Sequence, residues 1–175
     1  MRSIEPIAKF DLAFSLFCLQ HRFNHPVSRI SKAVSHTGDG HLYIAFGVLA
    51  YLFAGIEGKL FLLAGLLAFA MELPIYWVAK NMFKRRRPQE LCDLVTSFIT
   101  PSDRYSLPSG HTAAAFLMAS ITGHYFADLE VATLIWATLI ASSRILLGVH
   151  FLTDVLLGAL LGIGCAQWAL TMIGS

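Results

Sequence analysis

The chain has 175 residues, with 13 Lys and Arg against 11 Asp and Glu and a formal net charge of +2 at neutral pH. Hydrophobic residues make up 56% and charged residues 14%, against roughly 25% charged in ordinary soluble domains, and mean hydropathy is +0.64. A soluble fold of this size needs more polar surface, so the composition excludes an ordinary water-soluble domain and makes lipid the solvent; a charge this close to balance gives no reason to expect a nucleic-acid partner.

The first 40 residues read as an N-terminal part. Residues 7–20 form an apolar run of about four turns, short for a crossing, and two readings stay open: a short tilted sixth span or a helix lying on the surface. Glu5, Pro6 and Lys9 argue against a cleavable signal peptide. In residues 26–36 the spacing puts Val27, Ile30 and Val34 on one helical face and Arg29, Lys32 and His36 on another, which predicts an interfacial amphipathic helix. Five apolar segments follow, at 41–56, 60–83, 110–127, 130–148 and 150–172. They lack strand-like alternation, and a lipid-exposed backbone must satisfy its own hydrogen bonds, so they are helices. The expected fold is all-α: one membrane-embedded domain over 1–175, an integral membrane helical bundle of five to six transmembrane helices, with short or interfacial helices over 1–40 and a helical core over 41–175. Gly158-x-x-x-Gly162 is expected to let helices pack closely inside a monomer. Cys18, Cys92 and Cys165 show no CxxC spacing, so neither a disulfide framework nor a zinc site is expected.

Counting crossings puts the 84–108 loop, the 144–150 turn and residues 26–40 on one face, and three polar clusters gather there. Lys80, Lys84 and Arg87 are spaced for one helical stripe, which Pro88 ends. Pro108-Ser109-Gly110-His111 opens a span; a Ser-Gly helix start offers free N–H groups and the positive end of the dipole to an anion, and Gly110 allows close approach. Ser143-Arg144-x5-His150-x3-Asp154 sets His150 and Asp154 at i, i+4 on one face, so the carboxylate holds one ring nitrogen and leaves the other bare, as nucleophilic sites require. An Arg144–Asp154 pair tying two helices is the structural alternative. Several cations with one carboxylate in an apolar setting call for an anion, and a phosphate fits.

Lys80-x6-Arg87-Pro88, Pro108-Ser109-Gly110-His111 and Ser143-Arg144-x5-His150-x3-Asp154 resemble, complete and in order, the three signature motifs of the type 2 phosphatidic acid phosphatases. The resemblance implies that His150 attacks phosphorus and forms a phosphohistidine, that Asp154 orients it, and that His111 protonates the leaving oxygen and then activates water. It implies that Lys80, Arg87, Ser109, Gly110 and Arg144 hold the phosphate. No metal site and no cofactor are expected, since the motif face carries no carboxylate cluster suited to magnesium. It implies a bacterial inner-membrane enzyme acting on a membrane lipid phosphate, with undecaprenyl pyrophosphate favoured over phosphatidylglycerol phosphate, phosphatidic acid or lipid A. A lipid-to-lipid phosphotransferase and a non-catalytic lipid-binding protein are the other readings. Lys59 is the only basic residue expected on the opposite face, so the positive-inside rule points the site to the cytoplasm; the family's lipid-carrier recyclers face outward, and the periplasmic face is preferred.

Some polar residues are expected to carry no chemistry. Ser35-His36-Thr37-Gly38-Asp39-Gly40 resembles a turn in bacterial members, and its glycines explain it as a surface turn. Arg85 and Arg86 read as a solvated basic edge, and His124 lies about 20 Å from His111 along one helix. Glu72 is an acid in mid-span, where an ionisable group is a functional candidate by default and a helix–helix hydrogen bond is equally open.

Overall fold

The computed structural model describes residues 5–20, 24–101 and 103–174, which form eight α-helices and no strand. Residues 1–4 and 21–23 of the expected N-terminal part lie outside the described residues. The helices are α1 (Glu5–Leu19), α2 (Asn24–His36), α3 (His41–Phe53), α4 (Gly55–Phe83), α5 (Pro88–Leu91), α6 (Gly110–Tyr125), α7 (Glu130–Leu146) and α8 (Leu152–Ile173). A single 3₁₀ turn, Ala127–Leu129, precedes α7.

The predicted apolar segments agree with α3, α4, α6, α7 and α8 to within a few residues at most ends. Among the described residues, three helical stretches are long and apolar enough to cross a membrane: Gly55–Leu91, Ala127–Leu146 and Leu152–Ile173. At 1.5 Å per residue, α3 rises only about 20 Å and α6 about 24 Å, so helix length alone does not carry the expected five to six crossings.

The radial order of residues is that of a bundle in lipid. Small residues fill the interior: Ala64, Ala68, Ala113, Ala115, Ala119, Ala137, Ala166 and Ala169 are all fully buried. Large apolar side chains point outward, among them Leu66, Leu73, Trp77, Val131 and Leu160. In water this arrangement is costly. In a bilayer, where tails are as apolar as Leu, close backbone approach drives packing instead.

α6 lies at the centre, packed against α4, α7 and α8. Gly158 and Gly162 of α8 face the carbonyls of Ser109 and Ala113 on α6, with no room for a Cβ. The expected glycine stripe is therefore used within the chain. A turn at Gly55, φ +60°, joins α3 to α4.

α2 forms over the predicted amphipathic segment, and small residues face the bundle. Its buried face is Ser28, Ser31 and Ser35, while Ile30 is 67% exposed. The serines are small enough to let α2 lie closely on α7. The apolar residues at positions 27, 30 and 34 are left on the flank of that contact.

Candidate active site

The first cluster does not form a stripe. α4 ends at Phe83, and Lys84 takes a left-handed conformation, φ 46°. Lys84 and Arg87 therefore leave the helical face of Lys80. Pro88 is not the stop; it is the first residue of α5, and Arg87 before it is extended, as a pre-proline residue must be. Lys80, 6% exposed, donates to Tyr76 Oη and, at 2.5 Å, to Asp103 Oδ2. Tyr76 also donates to Asp103, at 2.6 Å. Burial pushes the Asp103 carboxyl up, but the bonds from Lys80 and Tyr76 outweigh it and hold it below the usual range. Arg87 is buried and donates to the carbonyls of Val149 (2.7 Å), Asp103 (3.1 and 2.9 Å) and Tyr105 (3.1 Å). Of the five guanidinium N–H groups, these bonds leave one for a ligand.

The second cluster starts α6 as expected, with Ser109 extended at the N-cap and Gly110 first in the helix. The Ser109 side chain does not cap; its Oγ accepts from Thr112 Oγ1 at 2.9 Å. Its backbone N–H donates to the Asp154 carbonyl at 3.0 Å, so the N–H groups open to an anion are those that follow, from Gly110 on. Gly110 is required by Tyr76, whose ring lies 2.9 Å from where a Cβ would stand.

The third cluster turns sharply at Gly148, φ +72°, where the backbone packs against Thr96 and leaves no space for a side chain. His150 follows, 3% exposed, just before α8. Burial pushes its imidazole down to about 4, with Arg144 and Arg87 adding to the effect and Asp154 opposing it. The ring is thus neutral and ready to attack at neutral pH. Its Nδ1 lies 3.6 Å from Asp154 Oδ2, beyond hydrogen-bond length, and has no other partner among the described residues. Asp154 Oδ2 accepts from Phe151 N at 2.8 Å.

The other Asp154 oxygen is held by Arg85, at 2.8 Å. Arg85 is not a solvated edge. It points inward, stacks over Phe151 at 4.3 Å, donates to Thr153 Oγ1 at 2.5 Å and reaches Asp11 Oδ2 at 2.6 Å. Asp11, on α1, is fully buried and also accepts from Thr153 N at 3.2 Å. The structural alternative for this cluster, an Arg144–Asp154 pair, does not form.

Arg144 is instead directed to α2. Its Nη1 donates to Ser35 Oγ at 2.6 Å. It is 5% exposed, its Nε has no partner, and no carboxylate pairs with it among the described residues. Arg144 and His111 line a cavity of about 650 Å³ together with Lys32, Ser35, His36 and Asp39. His150, Lys80 and Arg87 are not in that lining. The expected surface turn forms at residues 37–40, and within it Asp39 also bonds His111 Nε2 at 2.8 Å and His36 Nδ1 at 2.5 Å. His124 is exposed near the far end of α6, away from all of this.

Direct bonds thus join the three clusters: Ser109 to Asp154, Arg87 to Val149, and Val149 N to Arg144 O at 3.3 Å. A family model described as the PAP2 superfamily matches residues 60–174, the stretch that holds all three. The chain belongs to the PAP2 superfamily. It is 34% identical over 133 residues to a protein named decaprenylphosphoryl-5-phosphoribose phosphatase in Mycolicibacterium smegmatis, covering 73% of this chain and 69% of that one. The solved structure of Aquifex aeolicus LpxE superposes with a TM-score of 0.76 at 27% identity, over 93% of this chain and 95% of the other. A transmembrane PAP2-type phosphatidylglycerolphosphate phosphatase from Bacillus subtilis superposes with a TM-score of 0.77 at 22% identity, over 99% and 90%; this likeness is one of fold. The chain spans about two thirds of the length of the curated relatives it matches (66–69%). It is a PAP2 membrane protein built of helices.

Proposed function

We propose that this PAP2 protein is a lipid phosphatase that works without a metal, through a phosphohistidine on His150. Asp154 Oδ2 stands 3.6 Å from Nδ1 and closes on that side of the ring as the imidazole takes on positive charge, so Nε2 attacks phosphorus. The N–P bond forms, the P–O bond to the lipid breaks, and His111 gives the leaving oxygen its proton. Water then attacks phosphorus, His111 takes its proton, and the P–N bond breaks to release phosphate and free His150. Lys80, Arg144, the remaining Arg87 N–H and the α6 N–H groups from Gly110 on carry the charge on the equatorial oxygens. Ser109, whose Oγ accepts from Thr112 and keeps its own O–H, adds a hydroxyl donor beside them.

The observation that carries the reading is Arg144. A buried guanidinium with an unpartnered Nε and, among the described residues, no salt bridge is costly, and it opens on a cavity shared with His111. A phosphate oxygen supplies what it lacks. Among substrates, undecaprenyl pyrophosphate is the reading we favour. It is supported by the mycobacterial relative, whose name describes a polyprenyl-linked phosphate. The setting we propose is a bacterial inner membrane with the site on the periplasmic side.

The test is a substrate panel on purified protein with EDTA present and His150→Ala as control. Phosphate release from a prenyl pyrophosphate, lost in His150→Ala and kept in EDTA, is the expected result. Release that needs added magnesium, or that His150→Ala retains at the wild-type rate, overturns it. Release without an added lipid acceptor separates a phosphatase from a phosphotransferase.

A further inference from the structure

The α2–α3 turn is fastened to the bundle core. Trp136 of α7 donates to Thr37 Oγ1 at 2.9 Å, Thr37 Oγ1 donates to the Val34 carbonyl at 2.6 Å, and Gly38 lies against Ile140. Ser35 is held by Arg144 at 2.6 Å. Gly40, φ +93°, turns the chain into α3. Asp39 is thereby presented at a fixed place beside the start of α6.

Its carboxylate bridges two imidazoles. His111 Nε2–H donates to Oδ1 at 2.8 Å and His36 Nδ1–H to Oδ2 at 2.5 Å. Among the described residues no hydrogen bond falls on His111 Nδ1. Side-chain exposure rises outward along the chain of groups, from 26% at His111 to 38% at Asp39 and 72% at His36. Burial pushes the Asp39 carboxyl up, but the bonds from His111 and His36 win and hold it below the usual range, so it is ionised at neutral pH.

We infer that Asp39 is a positioning residue for His111, fixing the tautomer that bears hydrogen on Nε2 so that the acid–base work passes through Nδ1, with His36 anchoring the second oxygen. Asp39 stays ionised throughout. His111 enters the first step as the imidazolium, held against the Asp39 carboxylate; its Nδ1 proton goes to the leaving oxygen and the Nε2–H tautomer remains. In the second step Nδ1 takes a proton from the attacking water, which restores the imidazolium for the next turnover. The site then has two His–Asp pairs, one behind the nucleophile and one behind the acid, supplied by opposite ends of the chain. This inference rests on the phosphohistidine reading above.

The test uses the full chain in detergent and follows phosphoenzyme formation by rapid quench on two substrates, an alkyl phosphate lipid and p-nitrophenyl phosphate. An alkoxide needs a proton in order to leave; a nitrophenolate does not. Asp39→Asn is expected to slow formation about 30-fold or more on the alkyl substrate, and its penalty there is expected to exceed that on the nitrophenyl substrate about tenfold. Asp39→Glu is expected to recover part of the loss. Equal penalties on the two substrates make Asp39 a part of the turn's folding only and end the proposal. Should Asp39→Asn fail to fold, as judged by its thermal midpoint, His36→Gln removes only the outer bond and is expected to give the same selectivity at about threefold to tenfold; its absence is equally fatal. Wild-type protein that forms no acid-labile phosphoenzyme on either substrate overturns the phosphohistidine reading and this inference with it, an outcome distinct from loss of selectivity alone.

Discussion

Arg85 and Asp154 are joined by a 2.8 Å hydrogen bond, and Arg85 is joined in turn to Asp11 at 2.6 Å. One guanidinium thus bridges two fully buried carboxylates, one on α1 and one beside His150. Removing it leaves two unpaired acids in the core, which costs about 3–5 kcal/mol. Arg85→Met is therefore expected to lose most of its stability in detergent. The double variant Asp11→Leu/Arg85→Met removes one of those acids and is expected to regain part of the thermal midpoint, yet turn over at least about tenfold more slowly than wild type, because Asp154 has lost its orienting partner. Thermal denaturation beside kcat at saturating substrate checks both halves.

His150 makes stability depend on pH. Its folded value, about 4, lies below the ordinary 6.5 because the ring is buried. The unfolded chain therefore binds a proton that the folded chain refuses. Stability from this group is complete above about pH 6.5 and is lost as pH falls toward 4. The thermal midpoint is expected to drop across that window in wild type and to drop less in His150→Gln. Parallel curves for the two proteins contradict the burial argument.

In the proposed mechanism Asp103 competes with the substrate for Lys80. Its bond to Lys80 puts a carboxylate oxygen where a phosphate oxygen is expected to sit, and the Arg87 bonds to the Asp103 carbonyl fasten that residue in place. Asp103→Asn weakens the competitor without emptying the space. It is expected to lower KM and to tighten inhibition by inorganic phosphate, each about threefold to tenfold, the size of one charged hydrogen bond partly repaid. Unchanged phosphate inhibition means that Asp103 and phosphate do not compete.

The α6–α8 contact tests the fold separately from the chemistry. A side chain at Gly162 meets the Ala113 carbonyl and Leu117 N. Gly162→Val is expected to destabilise the protein by about 1–3 kcal/mol or more. Gly164→Val, where nothing lies within 4 Å of the new Cβ, is expected to be near neutral. A thermal scan of the pair in one detergent decides it.

The sequence made the three motifs legible because ionisable residues are scarce in a chain this apolar, so Lys80, His111, Arg144, His150 and Asp154 stand out by type. What supports them was harder to read. Arg85 sits in a run of Lys84, Arg85, Arg86 and Arg87, and nothing local says that Arg85 and Arg87 turn inward while Lys84 and Arg86 stay exposed. The left-handed break at Lys84 decides that, and it also undoes the stripe that helical spacing predicted. Asp11 had a signal: it is the one acid in the apolar run 7–20, and such an acid asks for a partner. Asp39 lay in a turn that its glycines explained, so its second use did not show until α2 was seated on α7. Glu72 is buried, and among the described residues no hydrogen bond explains it.

Asp11 has one more consequence. α1 packs on α7 and α8 through Phe14 and Cys18, and its Asp11 carboxylate bonds Arg85 and Thr153, so the charge balance beside Asp154 depends in part on the first dozen residues of the chain. A fusion tag or a proteolytic clip that pulls this helix away is expected to behave as an active-site lesion, with the rest of the bundle intact and the enzyme silent.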